Sequence, residues 1–312
     1  MNAQPGAMTQ SDAPAPAQGF DPATWPGIAR ELKRAVAQIR SGREARTELQ
    51  LYYQPRVCAM FGKVVRAEAL LRWEHPKLGV IPPDIFIPML RRHGDMGIVG
   101  NWVLAQAIAA ASRWARLADA PKIAVNVEPA QLEAMSFPGQ VLDLLRRHGV
   151  APNRLELEVT ESCVFQDASS ASQVLDDLRR SGIDIAMDDF GSGMEALMTI
   201  AWLPANVIKI ERRLCNQMET DHRTQQTMRA VVAFARTLGL RVVMEGIETE
   251  QQMRVAQRTG FDELQGFHFS RAVREEEFVA IARERRSWIA QPAARPDNVV
   301  HLPPGVAASA AD

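Results

Sequence analysis

The sequence has few cysteines, no excess of either charge and no long apolar run, and each absence excludes a class of protein. Its three scattered cysteines (Cys58, Cys163 and Cys215) form neither a disulfide framework nor a zinc site, and they fit a reducing cytoplasm. Lys and Arg number 36 against 37 Asp and Glu, whereas a general nucleic-acid binder shows a basic excess. No apolar run reaches the roughly 18 residues of a membrane span, and no secretory signal begins the chain. We therefore expect a cytoplasmic protein with no membrane and no nucleic-acid polymer as partner.

Three common kinds of catalytic site are also missing. The Gly-rich fingerprint of dinucleotide-binding folds is absent, and the six histidines show no metal-ligand spacing. Gly191-Ser192-Gly193 is not a nucleophile elbow, because Phe190 stands where that motif needs glycine. Nicotinamide chemistry, histidine-held metals and serine hydrolysis are therefore poorly supported.

What the sequence does contain is a regular alternation of apolar strand-like runs and amphipathic helical stretches. It follows an Ala/Pro-rich segment, residues 1–27, that we expect to be disordered. Residues 28–289 should form one folded domain, and residues 290–312 a flexible tail. The predicted strands are 49–54, 64–71, 122–127, 154–159, 183–187, 207–210, 241–244 and 263–265. The predicted helices are 28–40, 84–117, 129–148, 168–181, a short segment after Met194, 224–238, 248–259 and 274–288.

Eight strands with helices after all but the first predict an α/β protein with a TIM-like (β/α)8 barrel. The connection between the first two strands is too short for a helical crossover, so this pair should be antiparallel. A doubly wound open sheet is the alternative fold.

Acidic and amide side chains recur where the predicted strands end. The most informative stretch is 183–197, in which an apolar strand ends in Asp188-Asp189 before a Gly-rich loop. Each residue has a plainer explanation. The acid pair could be an N-cap Asp beside a solvated one, Glu68 an outward partner of Arg66 or Arg72, and Glu158 one polar position of an alternating strand. In a barrel, however, all strand ends meet at one mouth, where active sites lie. The side chains concerned are Glu68, Asn126, Glu158, Glu161, Asp188, Asp189, Lys209, Glu211, Glu245 and Gln265.

Such a cluster predicts a site for hard cations. Carboxylate and amide oxygens without His or Cys suit Mg²⁺ or Mn²⁺. There are enough acids for two ions, with Asp188 as a bridge, and two ions can activate water against a phosphodiester. Lys209 would orient that water or stabilise the transition state.

These residues resemble a known family, the EAL domain, a bacterial phosphodiesterase of cyclic di-GMP. Glu68-Ala69-Leu70-Leu71-Arg72-Trp73 resembles the signature that names it, and Asp188-Asp189-Phe190-Gly191-Ser192-Gly193 resembles its D-D-F-G-T-G loop. The remaining matches, which run in the family's order over about residues 30–285, are Leu51-Tyr52-Tyr53-Gln54-Pro55, Val125-Asn126-Val127, Glu158-Val159-Thr160-Glu161, Leu203-Pro204 with Lys209-Ile210-Glu211, Glu245-Gly246-Ile247-Glu248-Thr249 and Gln265-Gly266-Phe267.

The resemblance implies roles as well as a barrel with an antiparallel first strand. It implies hydrolysis of cyclic di-GMP to linear pGpG, with Lys209 positioning the attacking water. The implied metal ligands are Glu68, Asn126, Glu158, Asp188, Asp189 and Glu245. The implied substrate contacts are Gln54 (guanine), Arg72 (phosphate), Glu68, Leu71, Asp189 and Gln265, and the implied supports of the loop after strand five are Glu161 and Glu248.

The chain departs from the family pattern near the loop. Met194-Glu195 stand where the family has Tyr-Ser, and Glu211 replaces an Asp. An alternative reading is therefore a catalytically weak or inactive module that acts as a cyclic di-GMP receptor or binds a protein. Family resemblance and the Met-rich segment 194–198 predict a homodimer, and a regulatory protein partner is expected but not identified.

Overall fold

The computed structural model describes residues 27–43, 47–160, 168–190, 204–284 and 288. Nine strands lie within these ranges: β1 Leu49–Cys58, β2 Val64–His75, β3 Gly79–Ile81, β4 Lys122–Asn126, β5 Leu155–Thr160, β6 Asp184–Phe190, β7 Val207–Ile210, β8 Arg241–Met244 and β9 Glu263–Gln265. The helices there are α1 Ile28–Arg40, α2 Pro83–His93, α3 Met96–Trp114, α4 Pro129–Leu132, α5 Phe137–His148, α6 Ala168–Arg180, α7 Arg212–Thr220, α8 His222–Thr237, α9 Glu250–Thr259 and α10 Glu275–Arg283, with a 3-10 turn at Pro152–Arg154.

Eight of the strands close into a barrel, which confirms the predicted fold. The sheet order is β1-β9-β8-β7-β6-β5-β4-β2-β3, and β1 also pairs with β2, so the ring closes and β3 lies outside it. β1 is antiparallel to both its neighbours, and the pairings from β2 through β4 to β9 are parallel. The short first connection correctly predicted this orientation.

The two faces of the barrel strands differ in chemistry. In β5, Leu155, Leu157 and Val159 belong to the main apolar core with the helices, while Glu156 and Glu158 are as deeply buried but face the barrel lumen. Side chains alternate between the faces of a strand, so one strand supplies both environments.

An aromatic cluster attaches the first strand to the helices. The ring of Tyr53, on β1, lies 5.0 Å from that of Trp114 in an edge-on contact, and Trp114 lies 4.8 Å from Phe278 of α10. Such pairs stabilise by about 0.5–1.5 kcal/mol beyond the area they bury. Because Tyr53 is fixed on the outside, its neighbour Gln54 is directed into the lumen.

Several predicted boundaries were wrong for local reasons. The helix predicted over 84–117 is two helices, because Gly94 adopts φ 70° and ends α2. The helix predicted over 129–148 is also two, α4 and α5, and α10 ends at Arg283, before the predicted 288. β1 continues through Pro55, and β3 and α7 were not predicted.

Predictions for the two flanks, and for the segment after Met194, lie outside the described residues. In the described part of the chain, no helix is both long enough and apolar enough to span a membrane.

Candidate active site

Strand register brings the predicted polar residues to one mouth of the barrel. Glu158 is level with Asn126 on β4 and with Ala186 on β6, and Thr160 is level with Asp188. On the antiparallel side, Gln54 faces Glu68. The predicted convergence of strand ends is therefore present, and the outward-facing explanation for Glu68 is wrong, because its side chain is only 8 % exposed. Glu158 does occupy a polar position of the alternating strand β5, but that position is buried and faces the lumen. The residues that meet are Gln54, Glu68, Asn126, Glu158, Asp188, Asp189, Lys209, Glu245 and Gln265.

Lys209 lies at the centre of this group. Its Nζ is 2.7 Å from Glu158 Oε2 and 2.7 Å from Glu245 Oε1. It is also 3.2 Å from Asp188 Oδ1 and 3.6 Å from Glu68 Oε2. The side chain is 1 % exposed, so an ammonium is buried among four carboxylates that span 177 positions of sequence (245 − 68).

The carboxylates of the mouth outnumber its cations, and both burial and this excess shift the pKa values of its members. Burial would lower the pKa of Lys209, but Asp188, Glu158 and Glu245 raise it well above its ordinary value. Burial raises the pKa of Glu245 to about 8 against the opposing pull of Lys209. Lys209 and Arg56, which contacts Glu158, are two cations against the five carboxylates of the mouth, so a further cation would neutralise the remainder.

Glu68 stands out as an ionised member of the group. Burial acts to raise its pKa, but Lys209 and hydrogen bonds from Gln265 and Asn126 bring it down to about 2. Asn126 Nδ2 donates to Glu68 Oε1 at 3.0 Å, and Gln265 Nε2 donates to Glu68 Oε2 at 2.6 Å. Gln265 Nε2 also donates to Gln54 Oε1 at 3.0 Å. These bonds hold the carboxylate in one orientation.

The acid pair sits on an irregularity of β6. The register with β7 shifts between Met187 and Phe190, and Asp189 adopts φ 56°, unusual for a residue other than glycine. Its backbone N–H donates to Asp188 Oδ1 at 3.0 Å. Burial, followed by the nearby Asp188 carboxylate, raises the pKa of Asp189 to about 7. Bulges of this kind re-aim side chains next to sites, and here the bulge falls on both acids.

A cavity opens directly beside the carboxylates. Its polar wall includes Glu68, Arg72, Asn126 and the acid pair, and its apolar wall comes from α2, α3 and the segment Ala69–Leu71. Arg72 is 4 % exposed, and its Nη1 donates to the Leu71 carbonyl at 3.0 Å. The other lining residues are Leu70, Leu71, Pro83, Ile87, Met96, Val99, Gly100, Val103, Glu128 and Thr160.

Not every predicted residue joins the mouth. Glu248 pairs with Arg212, and its backbone N–H donates to Gln252, so its described contacts are with the outer helices. Glu211 precedes α7 and pairs with Arg213 at 3.2 Å. Glu161 and the altered pair Met194-Glu195 lie outside the described residues, so their predicted roles stay predictions.

Sequence reasoning missed the charged layer beneath the mouth. Arg56, Arg66 and Glu156 are at most 2 % exposed, in a position where barrels usually hold branched apolar residues. Arg56 Nη2 reaches Glu158 Oε1 at 2.5 Å. Two signals were available: Arg56 is two residues from the inward-facing Gln54, and the alternation of β5 places Glu156 on the same face as Glu158.

The oxygen ligands of the mouth match a divalent metal in chemistry, while their arrangement centres on Lys209. Carboxylate and amide oxygens without His or Cys suit Mg²⁺ or Mn²⁺, and the excess negative charge favours a divalent ion. In the described ranges, no group of three or more His, Cys, Asp or Glu side chains is preassembled for an ion, since the carboxylates are gathered around Lys209. The residues fit a hard cation once they turn from that ammonium.

Comparison with known proteins gives a consistent result. The family model described as "EAL domain" matches residues 31–272. The chain is 38 % identical over 253 residues to "Bifunctional diguanylate cyclase/cyclic di-GMP phosphodiesterase MucR" of Pseudomonas aeruginosa, covering 81 % of this chain and 37 % of that protein. It is 35 % identical over 217 residues to "Cyclic di-GMP phosphodiesterase PA2567" of the same organism, covering 70 % of this chain and 37 % of the relative. The chain thus spans little more than a third of the length of these curated relatives.

Comparison with solved structures also finds EAL proteins and a cyclic di-GMP complex. The chain is similar to "PaMucR Phosphodiesterase, c-di-GMP complex", with a TM-score of 0.72 and 36 % identity over 80 % of this chain and 99 % of the other. It is also similar to "EAL Enzyme Bd1971" in a form bound to cAMP and cyclic di-GMP, with a TM-score of 0.73 and 26 % identity over 81 % and 69 % of the two chains.

Proposed function

The chain belongs to the EAL domain family, and on that premise we propose that it is a divalent-metal-dependent phosphodiesterase that hydrolyses cyclic di-GMP to linear pGpG. Two relatives bear the name of a cyclic di-GMP phosphodiesterase. The observation that carries the proposal is the set of carboxylates within 3.2 Å of Lys209, namely Glu158, Asp188 and Glu245, beside a cavity.

Oxygen ligands at the mouth would hold the ions. Asp189, next to Asp188, would bind a second ion, and Glu245 would act directly or through water. Bound Mg²⁺ or Mn²⁺ would supply Lewis-acid polarisation of the phosphodiester and charge stabilisation. The ligands of the first ion would be Glu68, Asn126, Glu158 and Asp188.

Lys209 would contribute the fixed positive charge of the reaction. Its pKa is raised by the surrounding carboxylates, so it is an ammonium at neutral pH and donates rather than accepts protons. It would orient the attacking water and stabilise charge on the phosphoryl oxygens. Water would add its hydroxyl group to phosphorus as the bond to the 3′ oxygen breaks, and its other proton would pass by way of solvent to that 3′ oxygen.

The cavity would hold the nucleotide. Arg72 lines it and would contact a phosphate, with Leu71 beside it. Gln54 would contact a guanine, for which its Nε2 must leave the Ser270 carbonyl that it contacts at 3.2 Å. Gln265, Glu68 and Asp189 would complete the substrate contacts, and Glu161 and Glu248 would support the loop after β6.

A second candidate function is a catalytically weak or inactive EAL module that binds cyclic di-GMP or a protein partner. One observation favours it: the carboxylates already have the Lys209 ammonium as counter-charge, and no metal group is preassembled in the described residues. A homodimer also belongs to the proposal, and light scattering tests it.

The deciding experiment follows the product. The protein is incubated with cyclic di-GMP and Mg²⁺ or Mn²⁺, and pGpG is measured by chromatography. Glu68→Ala should abolish product, whereas Glu277→Ala, on the exposed face of α10, should match the wild type; chelation should stop the reaction reversibly. Nucleotide binding without product in either metal would refute the enzyme and leave the receptor.

A further inference from the structure

A charged network fills the barrel beneath the proposed active site. We call it the basal network. Arg66 Nε lies 3.1 Å from Glu263 Oε2, and Arg241 Nη2 lies 2.6 Å from Asp184 Oδ2. Its six members are Arg56, Arg66, Glu156, Asp184, Arg241 and Glu263, three cations and three carboxylates.

Arg56 is the member whose described contacts reach the mouth. Its Nη1 contacts Glu156 Oε1 at 2.7 Å within the basal network. Its Nη2 contacts Glu158 Oε1 at 2.5 Å, and its Nε donates to Gln265 Oε1 at 3.3 Å. The side chain is fully buried, so its planar guanidinium connects the two layers in a fixed orientation.

These two contacts with the mouth fix the orientations of the Glu158 and Gln265 side chains. Because Arg56 holds Oε1 of Glu158, the other oxygen, Oε2, is the one that faces Lys209 at 2.7 Å. Because Arg56 takes Oε1 of Gln265, the amide cannot flip, and its Nε2 must face Glu68. A flipped amide would set its oxygen against the Glu68 carboxylate.

We propose that Arg56 is a positioning residue of this site, which orients Glu158 directly and Glu68 through Gln265 so that both carboxylates are presented to a cation at the mouth. The inference rests on the proposed function for the identity of the reaction, but it concerns the geometry of the site before any reaction. Partners that orient metal ligands in this way typically change metal affinity by about 10–100-fold.

Arg66 provides a matched control. It is directly opposite Arg56 in the β1–β2 register, is 2 % exposed, and pairs with Glu156, Glu263 and Asp184. The contacts described for it stay within the basal network. Removing or shortening either arginine should therefore disturb the same network, but only Arg56 should disturb the mouth.

The experiment compares Arg56→Lys with Arg66→Lys, which keep the charge and favour folding. Mn²⁺ binding is measured by electron paramagnetic resonance, counting only the signal that Glu158→Gln abolishes, and urea unfolding is measured beside it. We expect about 10–100-fold weaker Mn²⁺ binding in Arg56→Lys, less than twofold change in Arg66→Lys, and similar unfolding midpoints. Arg56→Gln, which keeps a single donor, should weaken Mn²⁺ binding further.

The possible outcomes separate this inference from the proposed function. Equal Mn²⁺ affinities in the two Lys variants, equal losses in both, or a wild type that binds no Mn²⁺ would overturn the role of Arg56. Mn²⁺ binding by a wild type that makes no pGpG would refute the phosphodiesterase, while the comparison of the variants would still decide the role of Arg56.

Discussion

Replacing Lys209 by Met should destabilise the metal-free protein strongly. The ammonium contacts Glu158, Glu245 and Asp188 at 2.7–3.2 Å, and at an effective dielectric constant of about 20 each contact at ~3 Å amounts to roughly 5 kcal/mol of gross attraction. Desolvation of the ammonium and protonation of the abandoned carboxylates offset most of that sum. Removing one partner of a buried ion pair costs about 3–5 kcal/mol net, and we expect a loss of that size.

The assay is reversible urea unfolding in EDTA and in saturating Mn²⁺. Without the ammonium, Glu158 keeps Arg56 as a counter-charge, but Asp188 and Glu245 lose the ion-pair partner described for them. Mn²⁺ should therefore stabilise Lys209→Met more than it stabilises the wild type. Turnover should fall by about 100–1000-fold, the typical cost of losing one oriented electrostatic donor. Lys122→Met is the matched control: Lys122 is 34 % exposed and pairs with Asp184, so it should cost no more than about 1 kcal/mol.

One result would refute the reasoning. If Lys209→Met unfolded in EDTA within about 1 kcal/mol of the wild type, the ammonium would not be the counter-charge that holds the mouth together. The carboxylates would then have to be protonated or hydrated in the wild type as well.

Two further predictions concern parts of the chain outside the metal ligands. Gly149→Ala should lower the free energy of unfolding by roughly 1–2 kcal/mol, the cost of a left-handed conformation alone, because a Cβ there would meet open space. Gly266→Ala should lower it by at least twice as much, because its Cβ would lie 2.1 Å from the Ile247 carbonyl oxygen. Equal unfolding midpoints of the two variants would contradict this. Burial raises the pKa of Cys215 to about 12, so in a variant whose other two cysteines are serine this thiol should resist a thiol reagent at pH 8 until urea unfolds the chain. Because the folded-state pKa of Cys215 is raised above its unfolded value, the protonated thiol contributes stability that is lost as pH rises from about 9 to 12. Rapid labelling of the folded protein at pH 8 would contradict the buried, protonated state of this thiol.

Much of the fold followed from local pattern. β7, β8 and β9 were predicted with their observed bounds (Val207–Ile210, Arg241–Met244 and Glu263–Gln265), as was α1. For β7 and β8 the signal was a short apolar run, which is typical of buried parallel strands. Breaks inside the predicted helices were missed. A break such as that at Gly94 interrupts the helical spacing of apolar residues for only one or two positions, so the sequence still looks like one long helix.

The sequence predicted those residues of the site that lie toward the carboxyl ends of the barrel strands. Glu68, Asn126, Glu158 and Asp188 meet because parallel strands end together. Arg56 could not be found in this way, because Pro55 suggested the end of β1, whereas β1 continues to Cys58. A lone arginine after a proline resembles a turn residue in sequence. Its spacing of two from Gln54 indicates the inward face, and the closed barrel shows that it contacts three glutamates.

The antiparallel first strand has a consequence for biosynthesis. Arg56 and Gln265 are adjacent in the finished barrel but 209 residues apart in the chain. A ribosome therefore completes nearly all of the domain before Glu68 can acquire the support of Gln265. Under the proposed function, hydrolysis of the messenger would begin only when the last strand has docked, so that truncated or half-made copies would leave the signal untouched.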